Sequence, residues 1–194
     1  MILSKLEGFS NPKPELEQYR TPGNVAADLL WMAMEDIVGK VVADLGAGTG
    51  VLGIGACLTG AREVYAVEID PKALEVLKRN ASSMGVLERI RIIKGDVSGF
   101  SKKVDTVVMN PPFGAQRPHS DRAFLSKAFE IADVVYSLHL AKWEVRRFVR
   151  SFAMDHSFRA TILKSVSFEI PAIFHFHRKR IERINVDVYR FEHV

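Results

Sequence analysis

The 194-residue chain has a single cysteine, Cys57, so no internal disulfide can form and the cysteine framework of small secreted scaffolds is excluded. No apolar run approaches the roughly 20 residues that a membrane helix needs. Met1 to Pro14 shows no basic region leading into an apolar one, which reads as the absence of a secretion signal. A cytoplasmic location with no membrane partner is the expectation. Internal repeats, low-complexity tracts and a dividing linker are also missing. No group of cysteine, histidine and carboxylate residues has metal-ligand spacing, and no metal is expected.

What is present suits one globular domain spanning residues 1–194. Hydrophobic residues make up 47% and charged residues 26%, both ordinary for a packed protein, and the length allows a sizeable core. The net charge of +4 leans mildly toward a polyanionic partner.

Residues 1–23 are polar, carry Pro12, Pro14 and Pro22, and read as an arm laid over the domain. Asn24 is placed to cap a helix running to about Asp36. An alternation follows. Strands are expected at 41–45, 63–68, 90–93, 104–109 and 134–138, with helices at 51–58, 71–84, 121–133 and 142–154. Two further strands, 161–168 and 186–191, have no helix between them. Repeated strand–helix units imply an α/β, Rossmann-like fold. The sheet is expected to have seven strands, mostly parallel, with an antiparallel strand at one edge and helices on both faces. Open sheets of this kind bind ligands beyond the carboxyl ends of their strands.

Three of those ends carry unusual residues. The first strand runs into Gly46-Ala47-Gly48-Thr49-Gly50, and glycines let a backbone approach a ligand closely. Glu68 ends the next strand about twenty residues on, where a carboxylate can accept from both ribose hydroxyls of an adenosine. The loop alone suits either adenosylmethionine or a dinucleotide, because residues 48–53 also satisfy GxGxxG. Asp44 shifts the balance. A carboxylate there would repel a pyrophosphate, but it suits the cationic amino acid end of adenosylmethionine. Asp96, after the third strand, is placed to accept from an adenine amino group.

Asn110-Pro111-Pro112-Phe113 follows the fourth strand and reads as the catalytic motif. An exocyclic amine on adenine is a poor nucleophile, because its lone pair is delocalised into the ring. The Asn110 side-chain oxygen can accept one N–H and the Pro111 carbonyl the other. The prolines restrict the backbone that presents that carbonyl. Phe113 offers a face on which a splayed-out base can stack. Positioning supplies most of the rate, and no strong general base is needed.

With these motifs the sequence resembles the S-adenosylmethionine-dependent amino-group methyltransferases of class I. Their acceptors include adenine N6, guanine N2, cytosine N4 and a glutamine amide of release factors. Leu16 to Tyr19, Thr21, Val41 to Gly46, Ala123 to Leu125, Val135 to His139 and Phe176 to Lys179 are similar, more narrowly, to methyltransferase-like protein 5 and its archaeal relatives. That resemblance implies methylation of adenine N6 in small-subunit ribosomal RNA. It also implies that Gln18, Tyr19 and Thr21 close over the cofactor, and that a small zinc-containing activator of the Trm112 type is a partner, for which a strand such as Arg89 to Lys94 could offer a pairing edge. The cofactor set is then Gln18, Tyr19, Thr21, Asp44, Gly46, Gly48, Thr49, Gly50, Val51, Glu68, Ile69, Asp96, Val97 and Asn110.

His175-Phe176-His177-Arg178-Lys179-Arg180 is a basic cluster with an aromatic inside it. His175, His177, Arg178, Lys179 and Arg180, with Phe113, are the expected RNA contacts. Other readings remain open. The acceptor could be guanine N2 or a protein glutamine amide, although the latter enzymes carry a tyrosine after the prolines. The chain could also be a non-catalytic adenosylmethionine-binding module, against which the intact motif argues, or a nicotinamide enzyme.

Overall fold

The computed structural model describes residues 2–113, 120–171 and 181–194. Seven strands form one sheet in the order β3-β2-β1-β4-β5-β7-β6. β1 (Val41–Leu45), β2 (Glu63–Glu68), β3 (Ile90–Lys94), β4 (Thr106–Met109) and β5 (Val134–Leu140) are parallel to their neighbours. β7 (Ile181–His193) runs antiparallel between β5 and β6 (Phe158–Pro171). The antiparallel pairings are thus confined to one edge, as expected, with β6 outermost and β7 one place in.

The parallel strands read as continuous apolar runs because helices cover both of their faces. Val42, Val64, Ala66 and Val108 belong to one core, with side chains from α1 (Gly23–Met32), α3 (Val51–Thr59) and α4 (Pro71–Ser83). Their neighbours in sequence, Ala43, Tyr65, Val67 and Val107, belong to the other, with α5 (Ser120–Ile131) and α6 (Trp143–Asp155). The period of two along each strand divides the core cleanly.

Several boundaries differ from the expected ones. The first helix begins at Gly23 with Pro22 in the cap position, so Asn24 lies inside it, and the chain breaks at Ala33 before a short α2 (Met34–Ile37). The final strands are longer than their alternation suggested. A register shift between Ile162 and Lys164 breaks the period of two in β6. Asp187 of β7 is fully buried and accepts from Arg146 of α6 at 2.7 and 3.0 Å and from Ser165 of β6 at 2.5 Å, which ties this edge together. Cys57 is buried in α3, and burial pushes its thiol up to about 11. Among the described residues, no helix is long and apolar enough to cross a membrane.

The arm is attached through Asn80 of α4. Its buried amide donates to the carbonyls of Glu7 and Thr49 and accepts from the Glu7 N–H. One side chain therefore holds both the arm and the glycine loop. Asn80→Ala leaves the buried Thr49 carbonyl and the part-buried Glu7 groups without these partners, which costs about 1–3 kcal/mol. Urea unfolding should show that loss, and hydrogen exchange should show faster exchange at Glu7 than in the parent protein.

Candidate functional site

The carboxyl ends of β1, β2 and β4 converge on one cavity of about 470 Å³, within the range for small-molecule sites. Its floor is the glycine loop. Gly46 and Gly48 both have positive φ, and a Cβ there would come within 2.8 Å of the Phe124 ring and 2.9 Å of the Phe9 ring respectively. The two aromatic rings close on the loop from α5 and from the arm, so a larger residue at either position is strained by the positive φ and has to displace a ring.

Two carboxylates shape the electrostatics. Asp44 is almost wholly buried and accepts the Gly53 N–H at 2.7 Å. Burial is the main cause that pushes its pKa up to about 7, and that hydrogen bond opposes the shift. Glu68 accepts from Gly48 N and Asp70 N, each at 2.8 Å. Burial raises its pKa as well. Asp96 accepts from the backbone N–H and the hydroxyl of Ser98 through the same oxygen, Oδ1, which leaves Oδ2 for another donor.

Every residue of the expected cofactor set except Gly50 lines this cavity. Gly50 stands off the cavity wall. It turns the chain into α3 at φ 90°, and a Cβ there would meet Leu77 and Ile54 rather than a ligand. The Thr49 hydroxyl, also on the cavity wall, is buried without a hydrogen-bond partner, and a polar ligand atom can satisfy it. Buried carboxylates facing a cavity suit a ligand with a positive charge and ribose hydroxyls, so the residues present fit adenosylmethionine.

The arm forms the roof. Gln18 is clasped rather than free: its amide donates to Asp70 at 2.9 Å and accepts from Lys13 N at 2.9 Å, while the Lys13 ammonium also reaches Asp70 at 2.9 Å. Tyr19 and Thr21 meet Asn110 directly. The Asn110 amide donates to Thr21 Oγ1 at 2.9 Å, and the Tyr19 hydroxyl donates to Asn110 Oδ1 at 3.3 Å. Burial first, and then Glu17, raises the Tyr19 pKa well above its ordinary value, so the hydroxyl stays protonated as a donor. Asn110 and Pro112 face the cavity, Pro111 is buried, and Phe113 stacks on Tyr19 with centroids 5.2 Å apart.

Sequence reasoning missed Phe9, Phe124, Lys13 and Asp70. Asp70 before Pro71 does carry a helix-cap signal, and it caps α4 by accepting from Lys72 N. Nothing local in the sequence announces its link to the arm. His139 ends up buried 3.8 Å from Asp121, with burial pushing its pKa down to about 3. It is neutral, so that contact is not an ion pair. His175, His177, Arg178, Lys179 and Arg180 lie outside the described residues, as does most of the segment that follows Phe113.

The raised Asp44 pKa has a testable sign. A cationic ammonium binds the carboxylate and not the carboxylic acid. Adenosylmethionine affinity measured by calorimetry should therefore fall about tenfold per unit as pH drops below about 7. Asp44→Asn should flatten that profile. The ligand-free protein moves the other way. Its Asp44 holds a proton that the unfolded chain, with a pKa of about 3.9, does not. Stability from this group therefore declines as pH rises from about 4 to about 7.

The relatives agree with this geometry. The model of the methyltransferase small domain family matches residues 23–134. The rRNA N(6)-adenosine-methyltransferase METTL5 of Danio rerio is 37% identical, over 97% of this chain and 94% of its own length. The Drosophila melanogaster protein of the same name is 36% identical, over 98% and 92%. Among solved structures, a Pyrococcus horikoshii protein described as a candidate RNA methyltransferase superposes with a TM-score of 0.94. It is 59% identical and covers 99% of this chain and 94% of its own. A family match over more than half the chain, full-length relatives and a cavity suited to adenosylmethionine lead to one assignment: the chain belongs to the methyltransferase small domain family of S-adenosylmethionine-dependent enzymes.

Proposed function

We propose that the protein transfers a methyl group to N6 of an adenine in small-subunit ribosomal RNA. The observation that carries this reading is the Asn110 carboxamide, held at the cavity wall between Tyr19 and Thr21 next to the stacked ring of Phe113. The names of the zebrafish and fly relatives point to the same acceptor.

Adenosylmethionine supplies an electrophilic methyl group on a sulfonium. The chain's own residues do the rest. Thr21 takes the amide N–H of Asn110 and so fixes which end of the carboxamide is oxygen. Tyr19 uses one lone pair of that oxygen, and the second remains for an amine N–H of the base. The Pro111 carbonyl takes the other N–H, which turns the nitrogen lone pair toward the methyl. Phe113 gives the extruded base a surface to stack on. The proton on the methylated nitrogen is acidic enough to leave to water, and the neutral, buried His139 takes no part.

On this reading residues 1–194 act as one methyltransferase domain with residues 1–23 as the closing arm. The protein works in the cytoplasm on ribosomal RNA. A Trm112-type activator would pair with β3, which has β2 on one side only and forms an edge of the sheet.

The test is to incubate the protein, with and without such an activator, with labelled adenosylmethionine and unmodified ribosomal RNA, and to digest the product to nucleosides. N6-methyladenosine is expected. Label in methylguanosine or in protein would sink the assignment. Asn110→Ala should lower turnover about a hundredfold or more, on the scale of losing one fixed transition-state hydrogen bond. Its cofactor affinity should stay within about threefold, since the cavity's carboxylates and loop remain.

A further inference from the structure

α6 carries a surface stripe that neither the fold nor the cavity uses. Trp143, Arg147, Arg150 and Met154 follow one another at helical spacing, about 110° around the helix from the buried Val149 and Ala153. Trp143 is 69% exposed and Met154 76%. Arg147 and Arg150 are exposed, as is Lys142 just before the helix. None of these three cations has a carboxylate partner among the described residues. Arg146 does not count with them, because Asp187 already holds it.

The stripe begins at the catalytic end of the sheet. β5 runs parallel to β4 with Ser137 opposite Met109, and it continues to Leu140 before the chain turns into α6. The base-methylating motif follows Met109 directly. Lys142 and Trp143 therefore emerge beyond the same strand ends as Asn110. α5 packs along the other flank of α6. Its Ala123 and Phe124 line the cofactor cavity. The preceding Arg122 is exposed and lies over the rings of Phe148 and Phe152 of α6, at 5.4 and 5.8 Å. Those rings are about 140–180° around the helix from Trp143, so the stripe itself is left uncovered by α5.

We propose that this face of α6 is a docking surface for the RNA substrate, with Lys142, Arg147 and Arg150 on backbone phosphates and Trp143 stacked on an unpaired base. The proposal rests on RNA being the substrate. The helix also carries two acidic residues, but Glu144 and Asp155 lie about 100° and 120° around from Trp143, off the stripe. Unpaired cations on phosphates give salt-dependent affinity. An exposed indole beside them adds stacking energy that does not depend on sequence. The position fits the chemistry of base extrusion. An enzyme that takes one base out of its stack must hold the flanking strand, and Lys142 and Trp143 lie beyond the same strand ends as Asn110.

The test measures binding of a structured small-subunit ribosomal RNA fragment by fluorescence anisotropy from about 50 to 300 mM salt, next to methylation of the same RNA. The variants are Lys142→Gln/Arg147→Gln/Arg150→Gln together, Trp143→Ala, and Trp143→Phe. The triple variant should bind about tenfold or more weakly at 100 mM salt. Its salt slope should fall by about two to three, roughly one for each phosphate that is no longer neutralised. Trp143→Ala should lose about tenfold with the slope nearly unchanged, and Trp143→Phe should recover most of it. Adenosylmethionine affinity and the melting temperature should match the parent in each case, because all four positions are on the surface. Should the triple variant melt early, the Trp143 pair decides the matter alone.

Parent-like affinity and slope in the variants, while the parent protein methylates adenine, would overturn the surface and leave the function standing. Loss of RNA affinity in the variants of a protein that methylates no adenine would do the reverse. Variants that keep RNA affinity but lose binding to the activator protein would reassign the face to a protein partner and overturn its role in RNA docking.

Discussion

Parallel pairing of β1 with β2 on one side and β4 on the other is the constraint on which the site depends. With strands about 4.8 Å apart, the ends of all three lie within about 10 Å of one another. Those ends deliver Asp44 and the glycine loop, Glu68, and Asn110 to a single cavity. Residues far apart in the chain meet without any long excursion of the backbone. The same geometry explains why Asp44, Glu68 and Asn110 arise from different strand–helix units. Each unit contributes one strand end, and the order of the sheet assembles them.

Much of this was legible from the residues. Continuous apolar strands with unusual residues at their carboxyl ends announced both the α/β fold and the location of the site, because burial on two faces leaves little freedom in strand composition. Asp44, Glu68 and Asn110 could be picked out for the same reason: a polar residue closing an apolar run must have a partner or a task. What could not be read was anything set by the packing of distant segments. Phe9 and Phe124 are ordinary aromatics until the fold brings them against Gly48 and Gly46. Gly50 looks like its two neighbours in the loop, and only the direction of its missing side chain, toward Leu77, separates it from them. The break at Ala33 carries no proline or glycine to mark it.

The arm shows how the site is kept in one piece. Asn80 fixes its beginning to α4 and the glycine loop. The Gln18–Asp70–Lys13 cluster fixes its middle to the start of α4, and Thr21 fixes its end to Asn110. Most of these attachments are hydrogen bonds to buried or partly buried groups, which are costly to leave unmade. The roof and the Asn110 carboxamide are therefore held by one continuous set of hydrogen bonds, and only Tyr19 and Arg20 separate the clasp at Gln18 from Thr21.

The solitary thiol has a practical side. Cys57 is shut inside α3, and its pKa of about 11 leaves almost no thiolate near neutral pH. Thiol reagents attack the thiolate, so the folded protein presents them with a silent background. A single cysteine introduced at an exposed position of the arm would then be the only site to take a fluorophore or spin label. Whether the roof moves during turnover becomes directly observable without first stripping the chain of its own sulfur nucleophiles.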